Sequence, residues 1–270
     1  MYGLAVHGLL VLHALSLLFY FSDFVSANRR IKRIGAGLLV FVWALLTGYL
    51  VWRLLKLDGP SDLTRYETML FFVWLLVTIS LAAGRIPRIE PFVFALNVVG
   101  FGVLAAVAAE GPSEAPLRLW DAGQYLLIVH ISLALAAYAL FTAAAVFSAM
   151  YLLLHRQLKS RSWNAVVRRM PSLETIDRCA FGAVLAGTPL LILSLAAAAA
   201  TLLMARRAEW LADWKVFATM VAAAAYLIYI AARKRRRHPG MLTARWNLYA
   251  FCALLANSLI GAASRFHSWS

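Results

Sequence analysis

The chain has 270 residues, 63% of them hydrophobic and 14% charged, with a formal net charge of +14. A soluble fold of this length would carry far more apolar surface than it could bury, which excludes an ordinary water-soluble globule. The positive charge alone would suit nucleic acid, but the cations sit in short loops beside apolar runs, where membrane orientation and anionic headgroups account for them, and no nucleic-acid partner is expected.

In chain order the apolar runs lie near Gly3 to Phe24, Ile34 to Leu55, Glu67 to Ala83, Phe92 to Ala109, Gln124 to Leu154, Ala180 to Met204, Val216 to Ala232 and Trp246 to Ala263. Each is about 17 residues or longer, close to the hydrocarbon thickness in helical rise. Backbone exposed to lipid must satisfy its own hydrogen bonds, and a barrel would need shorter segments alternating apolar and polar residues. The predicted fold is therefore all-α, a polytopic integral membrane bundle of about eight transmembrane helices.

The loops set the expected orientation. Arg29, Arg30, Lys32 and Arg33 follow the first run, Arg85 and Arg88 the third, a basic stretch from Arg156 to Arg178 the fifth, and Arg233 to Arg237 the seventh. Loops on the opposite side mix Lys56, Arg65, Arg118, Arg206 and Arg207 with Asp58, Asp62, Glu110, Glu114 and Asp121. The positive-inside rule then puts both termini outside. The first run lacks a basic leader and is followed by its basic cluster, which reads as a retained anchor with its N-terminus outside.

Between the fifth and sixth runs, Trp163, Val166, Val167 and Met170 recur at helical spacing among Arg161, Arg168 and Arg169. This predicts a short amphipathic helix on the inner surface, for membrane anchoring first and partner docking second. The loop is too short for a core of its own, so the chain reads as a single transmembrane domain, 1–270. Cys179 and Cys252 are too far apart for a Cys-x-x-Cys pair and are expected to be small buried hydrophobes. No Walker, zincin, Rossmann or nucleophile-elbow pattern occurs, and no enzyme is expected.

Six histidines are the chemically distinctive residues. An imidazole in or beside hydrocarbon is costly without a partner such as a metal. His155 and His238 fall in basic loops and read as solvated. His7 and His13, six residues apart, fall on different helix faces and make a poor shared site. Asp23, Asn97 and Asn257 read as helix-linking hydrogen bonders. His130 lies about 9 Å into the fifth helix from its outer end. Ala134 and Ala137 share its face, leaving room for a flat ligand or for a neighbouring helix. His130 as a ligand and His130 as an interhelical hydrogen bonder stand level on the residues alone. His267, in the tail Ser264-Arg265-Phe266-His267-Ser268-Trp269, returns to the same outer surface.

The segment Ala14-Leu15-Ser16-Leu17-Leu18-Phe19-Tyr20-Phe21-Ser22-Asp23-Phe24 with Asn28-Arg29-Arg30 resembles the opening of HemX-type membrane proteins, which belong with the CcsA-like cytochrome c assembly proteins. The resemblance continues through Tyr66-Glu67-Thr68-Met69-Leu70-Phe71-Phe72-Val73-Trp74, through His130-Ile131-Ser132-Leu133-Ala134 with Tyr138, and into the tail around His267. It divides the chain into an N-terminal helix pair, 1–58, and a CcsA-like cytochrome c assembly region, 59–268. It implies a bacterial cytoplasmic (inner) membrane protein that holds or passes haem, with His130 and His267 as iron ligands near the outer face. Two departures stand out. The tryptophan-rich outer segment is reduced to Trp120-Asp121, and Asp58-Gly59-Pro60 stands where a histidine is expected before the third helix. Both argue against a complete haem-to-apocytochrome synthetase.

Haem suits the outer-half residues: imidazole ligates iron, helix walls cover the macrocycle, and Arg118, Arg265 or Arg207 meet the propionates. Trp120, Trp210, Trp214 and Trp269 fit porphyrin stacking, but an interfacial aromatic belt predicts the same placement and is favoured. The competing expectation is a membrane scaffold or regulator without bound haem. For HemX-type proteins the resemblance points to the cytosolic tetrapyrrole-pathway enzyme glutamyl-tRNA reductase, engaged through the basic inner loops. Control of haem biosynthesis and a membrane cytochrome-assembly partner are further expectations. A small-molecule transporter is a weaker third, since neither two-halves symmetry nor paired Gly/Pro-interrupted helices are evident.

Overall fold

A computed structural model describes residues 2–26, 29–56, 64–111, 124–161, 167, 169–206, 214–235 and 240–262. The described residues form eight α-helices: α1 (Tyr2–Ser26), α2 (Arg29–Leu55), α3 (Arg65–Ala83), α4 (Glu90–Glu110), α5 (Gln124–Lys159), α6 (Leu173–Met204), α7 (Trp214–Arg235) and α8 (Met241–Ala262). No strand occurs among the described residues, as expected for a lipid-solvated chain. Seven of the eight, α1 to α7, are long and apolar enough to cross a membrane. The exception, α8, interrupts its apolar sequence with Arg245, Asn247 and Asn257. The chain is a multi-pass membrane protein. Of the short helix expected on the inner surface, all but Arg161, Val167, Arg169 and Met170 lies outside the described residues.

Several helices outrun their apolar runs because local chemistry starts them earlier. Ser172 caps α6, its Oγ accepting from the Thr175 N–H at 3.2 Å, so the helix begins a turn and more before the apolar run at Ala180. Thr64 and Glu67 form a reciprocal capping box at the start of α3, with the Thr64 N–H donating to Glu67 Oε2 at 2.7 Å. Glu67 also receives Arg53 Nε at 2.7 Å, which ties the end of α2 to the beginning of α3.

The helices group into two compact units, one holding α1–α4 and the other α5–α8. In the first, α1 packs on α2 and α4, and α3 on α2 and α4, so each helix has two neighbours around a ring. Leu39, Val42 and Leu46 of α2, Leu70, Val73 and Leu76 of α3, and Phe92, Leu96 and Leu104 of α4 fill its interior. Polar side chains link the helices where hydrocarbon offers no alternative partner. Ser16 donates to the Gly35 carbonyl at 2.9 Å, and Trp43 and Trp74 donate to Thr78 and Thr47 at 2.9 and 2.8 Å.

The second unit repeats the arrangement: α5 packs on α6 and α8, and α7 on α6 and α8. Its core contains Ala137, Phe141 and Ala144 of α5, Val184 and Leu191 of α6, Tyr226 of α7 and Leu254 of α8. The Phe141 and Tyr226 rings stack face to face with centroids 4.0 Å apart. At one end Arg233 holds the Asp177 carboxylate with both Nη atoms, and its guanidinium lies 4.8 Å from the Phe181 ring centroid. Large apolar residues such as Leu18, Leu54, Phe217 and Tyr249 point outward, a liability in water but the correct face toward lipid. Both cysteines depart from expectation: Cys179 is only half-buried on α6, Cys252 is exposed on α8, and both are free. A thiol is apolar enough for lipid to accept it without burial in protein.

Candidate functional site

The site grows from the antiparallel packing of α5 on α6. Close approach is possible because Gly187 of α6 faces Leu140 and Phe141 of α5. A Cβ there would stand 3.0 Å from Phe141 Cε1 and 3.3 Å from Leu140 Cβ. Ala137, fully buried, belongs to the same seam, so it seats a neighbouring helix and not a flat ligand. Ala134, one turn from His130, stays partly exposed.

Two turns beyond Gly187, Ser194 meets His130. His130 Nδ1 lies 2.8 Å from the Ser194 carbonyl oxygen and 2.9 Å from Ser194 Oγ, and the Ser194 hydroxyl donates to the His130 carbonyl at 3.0 Å. These contacts fix the tautomer. A carbonyl oxygen only accepts, so Nδ1 carries the proton. The single hydroxyl proton of Ser194 is committed to the His130 carbonyl, so Oγ faces Nδ1 as a second acceptor. In the neutral ring the lone pair then belongs to Nε2, which has no hydrogen-bond partner among the described residues. The ring is partly exposed while Ser194 is buried. An interhelical hydrogen bond and an open ligand position are thus not alternatives for His130, because the ring uses one nitrogen for each.

The pairs Asp177–Arg233 and Phe181–Tyr229 show that α6 and α7 run antiparallel, so Ser194, farther along α6, lies toward the start of α7, where Lys215 stands in the first turn. The Lys215 carbonyl accepts from Thr219 Oγ1 at 2.8 Å, and Asn257 Nδ2 of α8 donates to Thr219 Oγ1 at 3.0 Å. His130 therefore stands at the α7 start of its unit, whereas the Arg233–Asp177 pair stands at the α7 end.

Of the other expected site residues, Arg118, Trp120, Arg265 and His267 lie outside the described residues, as do Arg207, Trp210, Trp269 and His238. Trp214 is described and is 66% exposed beside Phe217, the geometry of an interfacial belt. His7 is exposed and His13 fully buried, so they do occupy different faces. His13 Nε2 donates to Asn97 Oδ1 at 3.3 Å, because the Asn97 amide is committed to the Val93 carbonyl at 2.8 Å. His13 Nδ1 is buried without a partner. Asn97 and Asn257 link helices as expected. Sequence reasoning missed Ser194 and Lys215, since a serine between leucines and a lysine at a helix start carry no signal until α5, α6 and α7 are packed. No group of three His, Cys, Asp or Glu that could hold a bare metal ion occurs among the described residues.

Seven helices among the described residues long and apolar enough to cross a membrane define the class, a multi-pass membrane protein. Residues 63–261 match the family described as cytochrome c assembly protein, and the chain belongs to that family. It is similar to Protein HemX of Brevibacillus brevis, 37% identical over 96% of this chain and 95% of that one. It is also similar to Protein HemX of Bacillus subtilis (strain 168), 32% identical over 97% of this chain and 96% of that one. No solved structure matches. The family match begins just before α3, yet α1 and α2 supply half of the first four-helix ring.

Proposed function

We propose that this chain is a haem-binding or haem-handling protein of the bacterial cytoplasmic membrane, serving cytochrome c assembly or the control of haem synthesis, and that it performs no catalytic turnover. The observation that carries this reading is the tautomer of His130. A ligating imidazole typically gives its second N–H to a carbonyl or similar acceptor and offers the other nitrogen to the metal. His130 meets that description, with Nδ1–H on Ser194 and Nε2 open.

The fit to haem is better than to a bare ion. Haem would bring most of the iron's ligands itself and ask the protein for few, so a lone imidazole could suffice where a bare ion would need a cluster. His130 would supply one iron ligand and His267 a second, and Lys215 would join Arg118 and Arg265 as a candidate cation for the propionates, with Trp120 as a candidate cover. When bound, haem would supply a redox-active iron. The chain's own part is to hold the ring, exclude water from the apolar face and place positive charge at the membrane boundary.

The test is an absorption spectrum of the purified protein in detergent, with and without added haemin. A Soret band that shifts on binding and is lost in His130→Ala supports the reading, with a smaller loss expected in His267→Ala. Identical spectra for wild type and both variants overturn it.

A second reading, regulation of a cytosolic tetrapyrrole-pathway enzyme such as glutamyl-tRNA reductase, is favoured by the length of α5. Its 36 residues end in a last turn carrying Arg156 and Lys159. Such a helix is about 54 Å long against a hydrocarbon core of about 30 Å, so a substantial part stands in the headgroups or beyond. If deleting Arg161 to Arg169 abolishes co-purification with a soluble partner while no haemin binds, this reading replaces the first.

A further inference from the structure

We infer that Ser194 is a positioning residue for the His130 ligand: by accepting from Nδ1 it holds the ring in the tautomer and orientation that keep Nε2 available to an iron-bearing ligand. The inference rests on the haem reading for its purpose but not for its geometry.

Free histidine favours the Nε2–H tautomer, so a ring held as Nδ1–H needs a protein acceptor at Nδ1. Ser194 offers two, its carbonyl oxygen at 2.8 Å and its Oγ at 2.9 Å. The arrangement closes on itself, because the Ser194 hydroxyl donates back to the His130 carbonyl at 3.0 Å, which orients the Oγ lone pairs toward the ring. Alanine at 194 would keep the carbonyl but lose the second acceptor and the return bond. Ser194 is 1% exposed, so no water replaces the lost hydroxyl easily. Hydrogen-bond acceptors on Nδ1–H also push electron density toward Nε2 and strengthen it as a donor to iron.

Two measurements test this. In the full-length protein without haemin, the imidazole nitrogen chemical shifts of His130, assigned by comparison with His130→Ala, should report Nδ1–H. Finding Nε2–H overturns the inference whatever haemin does. With haemin, Ser194→Ala should bind about tenfold more weakly. It should also lower the iron–histidine stretching frequency and raise the midpoint potential, while Ser194→Thr, which keeps the hydroxyl, restores all three.

Wild-type binding with an unchanged stretch, potential and affinity in Ser194→Ala overturns the inference alone. No haemin binding by wild type, together with an Nδ1–H ring, overturns the haem reading and leaves the positioning geometry standing. If Ser194→Ala fails to fold, the wild-type tautomer and the Ser194→Thr spectrum still decide.

Discussion

Trp43 and Trp74 clasp α2 to α3 by a reciprocal exchange. Trp43 Nε1 donates to Thr78 Oγ1 at 2.9 Å, Trp74 Nε1 donates to Thr47 Oγ1 at 2.8 Å, and the two rings stack with centroids 6.4 Å apart. In each helix the threonine lies one turn beyond the tryptophan and donates its own proton to that tryptophan's carbonyl at 2.7 Å. Each hydroxyl is therefore aimed with its lone pairs toward the opposite indole. The same four-residue spacing written into two adjacent helices makes one interface.

Trp43→Phe should cost about 0.5–1.5 kcal/mol, the range of single interhelical hydrogen bonds in membranes. It leaves no buried orphan, since Thr78 keeps its bond to Trp74. The double variant Trp43→Phe, Trp74→Phe should lose less or more than the sum by about 0.5 kcal/mol or more, because the two indoles touch. Unfolding in mixed detergent measures both. Strict additivity would mean that the stack contributes nothing of its own.

In the same unit His13 and Asn97, both buried, share one hydrogen bond. Asn97→Leu would strand both nitrogens of His13, adding to the Nδ1 already without a partner. Leaving a buried polar group unmet costs about 1–3 kcal/mol, whereas replacing both partners with apolar groups is close to neutral. His13→Leu in the Asn97→Leu background should therefore recover stability. A double variant less stable than Asn97→Leu alone would point to a role for His13 beyond packing.

Charge makes the contrast sharper in the second unit. Asp177 and Arg233 have side chains 6% and 14% exposed, while Glu174 and Arg178, beside Asp177 on the same helix, are 73% and 78% exposed. Asp177→Asn leaves a guanidinium buried without its counter-ion and should cost about 3 kcal/mol or more. Glu174→Gln should cost under about 1 kcal/mol and less still in high salt. Equal losses in the two variants would show that Arg233 reaches solvent after all.

The helices were legible in the sequence because lipid imposes one length and one backbone solution on every crossing. Their ends were less so. Ser172 and Thr64 start helices before the apolar runs do, and α8 pairs a clear helical sequence with too many polar residues to rank with the other seven. At the site, depth in an apolar run singled out His130 but not which nitrogen it would offer. That depends on Ser194, 64 residues away along the chain. Arg233 read as one cation in a basic run, yet it is spent on a buried carboxylate that nothing nearby in sequence announces. Long-range partners of this kind become visible only when two helix faces are brought together.

Gly187 is where packing and site meet, so it supplies the most informative substitution away from His130. A Cβ at 187 would press on Phe141 Cε1 at 3.0 Å. The Phe141 ring does not simply swing aside, because its face lies parallel to Tyr226, with centroids 4.0 Å apart. Gly187→Ala should therefore move α5 from α6 and cost about 1–3 kcal/mol, the usual range for overpacking a filled core. Seven residues on, about 10 Å along the helix, that displacement should lengthen the bonds between His130 and Ser194. Gly182 provides the control on the same helix, since a Cβ there meets nothing within 4 Å. Gly182→Ala should be neutral or stabilise by up to about 1 kcal/mol through helix propensity alone. The His130 nitrogen shifts should change in Gly187→Ala and stay put in Gly182→Ala. If both variants leave them unchanged while only stability falls, the seam at Gly187 supports the bundle without governing the pose of the ring.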